Sequence, residues 1–343
     1  MAGLRGQHKK YIGLGIAVVV ALCVGACAAI FYVSSCPLPA NSEPVIVRIA
    51  PGSSTKDIAE LLNKEGLVRN PVWFRIVARL MRADGELKAG EYQIEGGLFV
   101  WDIIQDLVEG KVLYHPLTVP EGLCVEEIAE ILDTQGIGDK EVFLEIAKNP
   151  DLVADFVSLD ELEETMYPVE GYLFPDTYLI ERDTSEKEIM LMMIKRFSEV
   201  FTPELREKAE EQGLSVHNAA TLASIVEKEA VVDEERPIIA AVYLNRLRIG
   251  MKLDADPTVL YALGKYSGTL LWKDLEIDSP FNTYIYPGLP PGPICNFGKA
   301  SLEAVLNPAD VDYLYFVSKN DGTHAFARTF TEHQENVLIY QGE

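Results

Sequence analysis

The sequence predicts a mixed α+β protein that begins with one membrane-spanning helix. Residues 12–33 form an apolar run with no charged side chain. After it, short alternating apolar patterns typical of strands recur between stretches with the three- and four-residue spacing of amphipathic helices. Pro/Gly turns separate these stretches, so both kinds of element are short. A chain of 343 residues that is 48% hydrophobic can build two domains with buried cores.

The apolar run has the length of a bilayer-crossing helix. From Ile12 to Val33, a rise of about 1.5 Å per residue gives roughly 33 Å, and the hydrocarbon core of a bilayer is ~30 Å thick. Three basic residues precede the run: Arg5, Lys9 and Lys10. Because basic residues stay on the cytoplasmic side, we expect residues 1–11 in the cytoplasm. A linker at 34–44 then leads to a chain that lies outside the cytoplasmic membrane.

A lipoprotein is the alternative for this N-terminus. Val24-Gly25-Ala26-Cys27 loosely resembles a lipoprotein processing site. Six further apolar residues follow Cys27, whereas a mature lipoprotein would start at that cysteine. A single-span anchor is therefore the preferred interpretation.

The charge and the cysteines exclude several classes of function. With 53 acidic and 30 basic residues, the net charge is −23, and such a surface repels the phosphates of nucleic acids. Of the five cysteines, Cys23 and Cys27 lie inside the apolar run, and the other three have neither metal-ligand nor C-x-x-C spacing: Cys36, Cys124 and Cys295. We therefore predict no zinc site, no disulfide framework and no cofactor.

An internal repeat organises the exported part. Ile49-Ala50-Pro51-Gly52 and Val119-Pro120-Glu121-Gly122 correspond, and each precedes an Ile-Ala-Glu-containing amphipathic stretch that begins at Ile58 or Ile128. Each copy predicts a strand, a turn and a helix. We expect a first domain at 45–114 and a second at 115–343. The first resembles a LysM-like module, although the residues alone favour a structural αβ repeat without a ligand.

A helix from Val216 to about Val232, capped by Ser215, carries two candidate acids. Its apolar residues recur at three- and four-residue spacing: Ala219, Leu222, Ala223, Val226 and Ala230. Glu227 and Glu229 interrupt this stripe. They are about 200° apart around the helix axis, so at most one of them enters a given cleft.

The helical pattern does not decide between the two acids. Glu227 has small neighbours in Ala220, Ala223 and Ser224, which leave room for a substrate. Apolar surroundings would raise its pKa, as a general acid needs. Glu229 fits a rim residue paired with Lys or Arg equally well. For either acid, a solvated or salt-bridged surface position is the common alternative.

Clusters of polar and aromatic residues lie on both sides of this helix. They are 170–178, 245–247, 256–258, 282–284 and the turn 288–292. Aromatic faces together with Asn, Asp and Thr side chains suit a pyranose, which has an apolar face and a rim of hydroxyls. Each cluster alone is typical of a turn with local hydrogen bonds.

These motifs resemble the YceG-like family of endolytic murein transglycosylases. The resemblance rests on Ala223-Ser224-Ile225-Val226-Glu227-Lys228-Glu229, Asn245-Arg246-Leu247-Arg248-Ile249-Gly250-Met251, Asp256-Pro257-Thr258, Phe281-Asn282-Thr283-Tyr284 and Gly288-Leu289-Pro290-Pro291-Gly292. It runs from about Val45 to the C-terminus. It implies a LysM-like subdomain followed by a catalytic domain, with Glu227 as the catalytic residue. We assign substrate binding to nine residues of the clusters: Glu170, Tyr172, Asn245, Arg246, Asp256, Thr258, Asn282, Thr283 and Tyr284.

The resemblance also implies a reaction, which cuts the β-1,4 bond between N-acetylmuramic acid and N-acetylglucosamine without water. Glu227 would protonate the leaving oxygen and then accept the proton of the muramyl 6-hydroxyl as that oxygen attacks C1, leaving a 1,6-anhydro end. No metal is needed. Expected partners are glycan strands, whose elongation the cut would terminate, and peptidoglycan synthases of the membrane.

Two other classes remain open. A lysozyme-type hydrolase would use Asp256 or Glu170 as a second acid, and a wall-binding protein without activity would not need Glu227. His324 is the histidine best suited to a site, although a structural hydrogen-bonded role is the more usual interpretation.

Overall fold

The computed structural model describes residues 17–22, 24–26, 28 and 43–342. Among these residues, no helix is both long and apolar enough to cross a bilayer. Most of the predicted span at 12–33 and of the linker at 34–44 lies outside the described residues, as do residues 1–11 and Cys27. The anchor therefore stays a prediction. The chain divides into two compact units, 1–115 with 181–183 and 116–180 with 184–343.

Within the first unit, the described residues from 43 onward pack three helices on a two-stranded antiparallel sheet. Its elements are β1 (Val45–Ile49), α1 (Thr55–Lys64), α2 (Pro71–Leu80), β2 (Gly90–Ile94) and α3 (Val100–Glu109). Ser54 caps α1 through a capping box, and Asn70 caps α2 ahead of a proline in the first turn. The buried sides of the helices and Val47 and Tyr92 of the sheet form its core.

The second unit is mainly helical and has its own core. Its elements are β3 (His115–Thr118), α4 (Val125–Thr134), α5 (Lys140–Ala147), β4 (Thr177–Ile180), α6 (Glu186–Val200), α7 (Pro203–Glu211), α8 (Val216–Glu229), α9 (Arg236–Arg248), α10 (Asp256–Ala262), α11 (Lys299–Leu306), β5 (Tyr315–Ser318), β6 (His324–Ala327) and α12 (Phe330–Tyr340). Strands β3 and β4 pair with each other, and β5 pairs with β6. The predicted mixed α+β fold is confirmed.

The two repeat copies use the same turn. Gly52 and Gly122 follow β1 and β3 with φ of 78° and 80°, a conformation that glycine adopts without steric cost. The helices that follow, α1 and α4, both begin a few residues later and are ten residues long. The repeated sequence therefore corresponds to a repeated strand–turn–helix structure.

Helix α8 lies in the centre of the second core. Ser215 accepts a hydrogen bond from the backbone N–H of Asn218, as the predicted cap requires. Every residue from Ala219 to Val226 is buried, and the helix packs against α9, α10 and α11. It ends at Glu229 rather than near Val232, because Ala230 has an extended conformation. Glu227 and Glu229 therefore occupy the last turn of a buried helix.

Candidate active site

Glu229 is a partly buried acid held by a tyrosine. The Tyr243 hydroxyl on α9 donates a hydrogen bond of 2.7 Å to Oε1 of Glu229. Burial raises the pKa of Glu229 to about 7; the hydrogen bond from Tyr243 opposes this increase and the charge of Asp256 adds to it. A carboxyl group with a pKa near 7 can both donate and accept a proton at neutral pH, as acid–base catalysis requires.

The Glu229 side chain lines a cavity of about 250 Å³. The polar groups of this cavity come from several separate segments of the chain, and Phe316 adds an aromatic ring. The other lining residues are Tyr243, Arg246, Leu253, Asp254, Asp256, Tyr284, Val317, Ser318, His324 and Gln341. A partly apolar wall with convergent polar groups is the usual composition of a small-molecule site.

Glu227 lies in a different environment. Its Oε2 accepts hydrogen bonds from the Ser301 hydroxyl at 2.7 Å, the Gly298 N–H at 3.1 Å and Nη1 of Arg236 at 3.2 Å. The side chains of Glu227 and Arg236 are 7% and 10% exposed, so the ion pair is buried. The expectation of apolar surroundings for Glu227 is wrong. Its contacts tie α8 to α9 and to the start of α11, and Glu227 is not among the residues that line the Glu229 cavity.

Three of the nine predicted substrate-binding residues line the cavity: Arg246, Asp256 and Tyr284. The Tyr284 hydroxyl donates to Asp256 at 2.7 Å, so these two form a polar pair on the wall. Arg246 donates to the backbone oxygens of Leu253 and Leu314 at 2.7 and 2.6 Å. It thereby joins two segments of the wall, and its guanidinium is largely occupied by the protein itself.

The other six predicted residues have protein partners for their polar atoms. Asn245 donates to backbone oxygens of the loop before β5, and Asn282 to those of residues 275 and 277. The Thr258 and Thr283 hydroxyls lie 2.9 Å apart, and Thr283 accepts from the Ala255 N–H. Thr258, Asn282 and Thr283 stabilise the loops that carry Asp256 and Tyr284, and Asn245 stabilises the loop before β5. Their geometry favours this structural role over direct contact with the substrate.

Glu170 and Tyr172 are buried away from the cavity. Glu170 accepts hydrogen bonds from the Val125 N–H at 3.1 Å and from Asn296 at 3.0 Å, and burial raises its pKa to about 8. Tyr172 shares a hydrogen bond of 2.8 Å with His217. Glu170 also lies near Cys124 and Glu126, with ligand atoms within 4.8 Å of one another. Burial also raises the pKa of Cys124.

Sequence reasoning missed Tyr243 and Asp254 as cavity residues. Tyr243 stands in a run of apolar residues on α9 and reads as a core residue. Asp254 has φ of 46°, which Asp tolerates better than most residues and which could have marked it as unusual. His324, the histidine that the sequence favours for a site, lines the cavity. Its Nδ1 lies 2.7 Å from Glu235, and its backbone N–H donates to the same carboxylate at 3.0 Å.

Comparisons with known proteins agree with the motifs around this site. The sequence profile of the YceG-like family matches residues 47–338. The chain belongs to the YceG-like family. A Bacillus subtilis (strain 168) protein named endolytic murein transglycosylase is 38% identical over 316 residues, which cover 87% of this chain and 86% of that protein.

Two further relatives support the family assignment. A protein of the same name from Streptococcus pneumoniae (strain D39) is 31% identical over 331 residues, and the match spans 88% of this chain and 59% of that longer protein. A crystal structure of a yceG-like protein from Listeria monocytogenes matches with a TM-score of 0.61 and 36% identity, covering 85% of this chain and 98% of the other.

Proposed function

We propose that this YceG-like chain is an endolytic murein transglycosylase that uses Glu229 as its single acid and base. The observation that carries the proposal is the position of Glu229, with a pKa of about 7, on a polar and aromatic cavity. The names of the B. subtilis and S. pneumoniae relatives support the reaction class. The resemblance pointed to Glu227, but its buried ion pair with Arg236 and its absence from the cavity lining favour Glu229.

In the proposed reaction, protonated Glu229 donates its proton to the glycosidic oxygen as the bond to C1 of N-acetylmuramic acid breaks. The resulting carboxylate accepts the proton of the muramyl 6-hydroxyl while that oxygen bonds to C1. One proton is given and one is taken, so the enzyme returns to its starting state without water. Because the nucleophile belongs to the same sugar, its attack is intramolecular and needs no second carboxylate.

The neighbours of Glu229 have roles that follow from their contacts. Tyr243 fixes Oε1, which leaves Oε2 for proton transfer. The Tyr284–Asp256 pair offers hydrogen-bonding groups for sugar hydroxyls or the N-acetyl group, and Phe316 offers an aromatic face. Tyr243 and Tyr284 are therefore the residues that position the acid and the substrate.

A hydrolase is the second candidate, because Asp256 lines the same cavity as Glu229. A second carboxylate could activate water or form a covalent intermediate. The two reactions differ in their products: transglycosylation leaves 1,6-anhydro ends, whereas hydrolysis leaves free reducing ends. Digesting purified glycan strands and identifying the new ends by mass spectrometry tests the proposal. Free reducing ends would assign the chain to the hydrolases, and intact strands would remove the enzymatic function.

The setting of the enzyme is part of the proposal. The apolar run at 12–33 with its basic flank supports a single-span anchor in the cytoplasmic membrane and an extracytoplasmic catalytic unit. Residues 45–114 serve as a LysM-like unit that positions the enzyme, and peptidoglycan synthases are its expected protein partners. Protease added to intact spheroplasts should digest the bulk of the chain, and complete protection would overturn the orientation.

A further inference from the structure

One side of α2 in the first unit combines exposed apolar and cationic side chains. Val72, Ile76 and Leu80 lie four residues apart, and their exposed fractions run from 43% for Ile76 to 71% for Leu80. Arg75 and Arg79 stand between them and are also exposed. Residues with these spacings share one side of a helix, so the five side chains form a continuous strip, called the α2 face below. The buried side of the helix carries Phe74, Val77 and Ala78.

The α2 face is strongly positive in an acidic protein. Residues 69–82 contain four arginines and no acidic residue, a charge of +4 in a chain whose net charge is −23. Arg79 pairs with Asp84 over 3.9 Å, so the charge of this arginine is partly offset, and Arg75 supplies the other positive charge of the strip. A cavity of about 350 Å³ along the strip is lined by Lys56, Arg75 and Arg79 together with one acid, Asp84.

We propose that the α2 face docks on the surface of an anionic lipid bilayer. A helix with an apolar strip bordered by arginines lies in the membrane interface, with the apolar residues among the acyl chains and the charges at the headgroups. Arginine side chains reach back to the phosphates while their methylene stems cover apolar surface. The anchor proposed at 12–33 places this unit beside a bilayer, which favours a lipid surface over an acidic protein as the occupant.

The proposed membrane anchor and its short linker keep the α2 face close to the bilayer. The proposal rests on the anchor at 12–33 proposed above. A fully extended linker at 34–44 spans at most about 40 Å, at roughly 3.3–3.6 Å per residue. The first unit is thereby held near the headgroups at a high effective concentration, so even a weak attraction keeps the face docked. Docking would fix the orientation of this unit relative to the bilayer plane.

Hydrogen–deuterium exchange of the full-length protein with excess vesicles tests the proposal. One set of vesicles contains only phosphatidylcholine, and the other contains phosphatidylcholine with phosphatidylglycerol. Exchange of peptides covering 69–82 should slow only with the anionic vesicles, and high salt should remove the effect. Each arginine contributes roughly a fivefold gain in partitioning to an anionic surface, so R75Q/R79Q should lose most of the protection. K187Q/K195Q on α6 removes the same charge elsewhere and should retain it.

The outcomes distinguish this proposal from those on which it rests. Co-sedimentation with the neutral vesicles reports the anchor separately, and release of anhydro ends reports the enzyme. Equal exchange of 69–82 with both kinds of vesicle overturns docking, whether or not the chain sediments. Equal protection by soluble polyglutamate would assign the face to an acidic polymer or protein and would overturn the lipid proposal. Protection that persists in R75Q/R79Q would also overturn it.

Discussion

Glu227 and Glu229 stand two residues apart at the end of one helix and have opposite surroundings. Three donors surround one oxygen of Glu227, and one of them, Arg236, forms a buried ion pair with it. Glu229 has no cationic hydrogen-bond partner among the described contacts, accepts one bond from Tyr243 and opens into a cavity. Two acids of one motif can therefore have different roles: Glu227 holds helices together, and Glu229 is suited to proton transfer.

Replacing the cavity acid should have the largest effect. Glu229→Gln keeps the volume of the side chain and its bond to Tyr243 but can neither give nor regain a catalytic proton. We expect a loss of activity of about 10²–10⁴-fold or more, because one group serves as both acid and base. The measurement is the rate of release of 1,6-anhydro ends from purified strands. Glu227→Gln is the matched control, and if it proved the inactive variant while Glu229→Gln kept near-normal turnover, our assignment would be reversed.

Truncating the paired acid should instead reduce stability. Glu227→Ala removes the buried partner of Arg236, which keeps only the exposed Asp233, and it also removes the acceptor of the Ser301 and Gly298 hydrogen bonds. Breaking a buried ion pair costs about 3–5 kcal/mol, so the free energy of unfolding should fall by roughly that amount. Denaturant unfolding measures the change. A variant as stable as the wild type would show that the ion pair contributes nothing to the fold.

The ionisation of Glu229 should make the stability of the protein depend on pH. The folded protein raises the pKa of Glu229 to about 7, above the usual value of 4.5. The proton on Glu229 therefore favours the folded state at low pH, and this contribution is lost as the pH rises through about 7. Glu229→Gln should consequently become more stable relative to the wild type between pH 4.5 and 8. Melting temperatures across that range test this, and a constant difference would contradict it.

Removing the tyrosine hydroxyl should have the smallest effect. The bond from Tyr243 lowers the pKa of Glu229, so Tyr243→Phe should raise that pKa further. A group that acts as an acid must be protonated, and the alkaline limb of the pH–rate profile should move to higher pH. The position of this limb in kcat/KM is the measurement. An unchanged limb with reduced activity at all pH values would indicate that Tyr243 only holds the fold.

The sequence indicates which part of the chain forms the site, but it does not predict which of its side chains face the cavity. The motifs around 223–229, 245–251, 256–258 and 281–284 lie in the part of the chain that forms the cavity, and Arg246, Asp256 and Tyr284 do line it. Thr258, Asn282 and Thr283 share those motifs but have their polar atoms bonded inside the protein. A motif indicates which residue type stands at a position, but not which way its side chain points. Whether the side chain faces a cavity or supports a loop depends on residues far away in the chain.

The sequence by itself determined the mixed α+β class, the repeated strand–turn–helix units and a buried helix that begins after Ser215, because capping, turn chemistry and periodicity are local properties. It also determined that Glu227 and Glu229 face different directions, since helix geometry separates them by about 200°. Only the tertiary structure decided which acid reaches the cavity. That choice depends on Arg236, Tyr243 and Ser301, which approach α8 from other helices, and burial and ion pairing are set by such neighbours rather than by position along the chain.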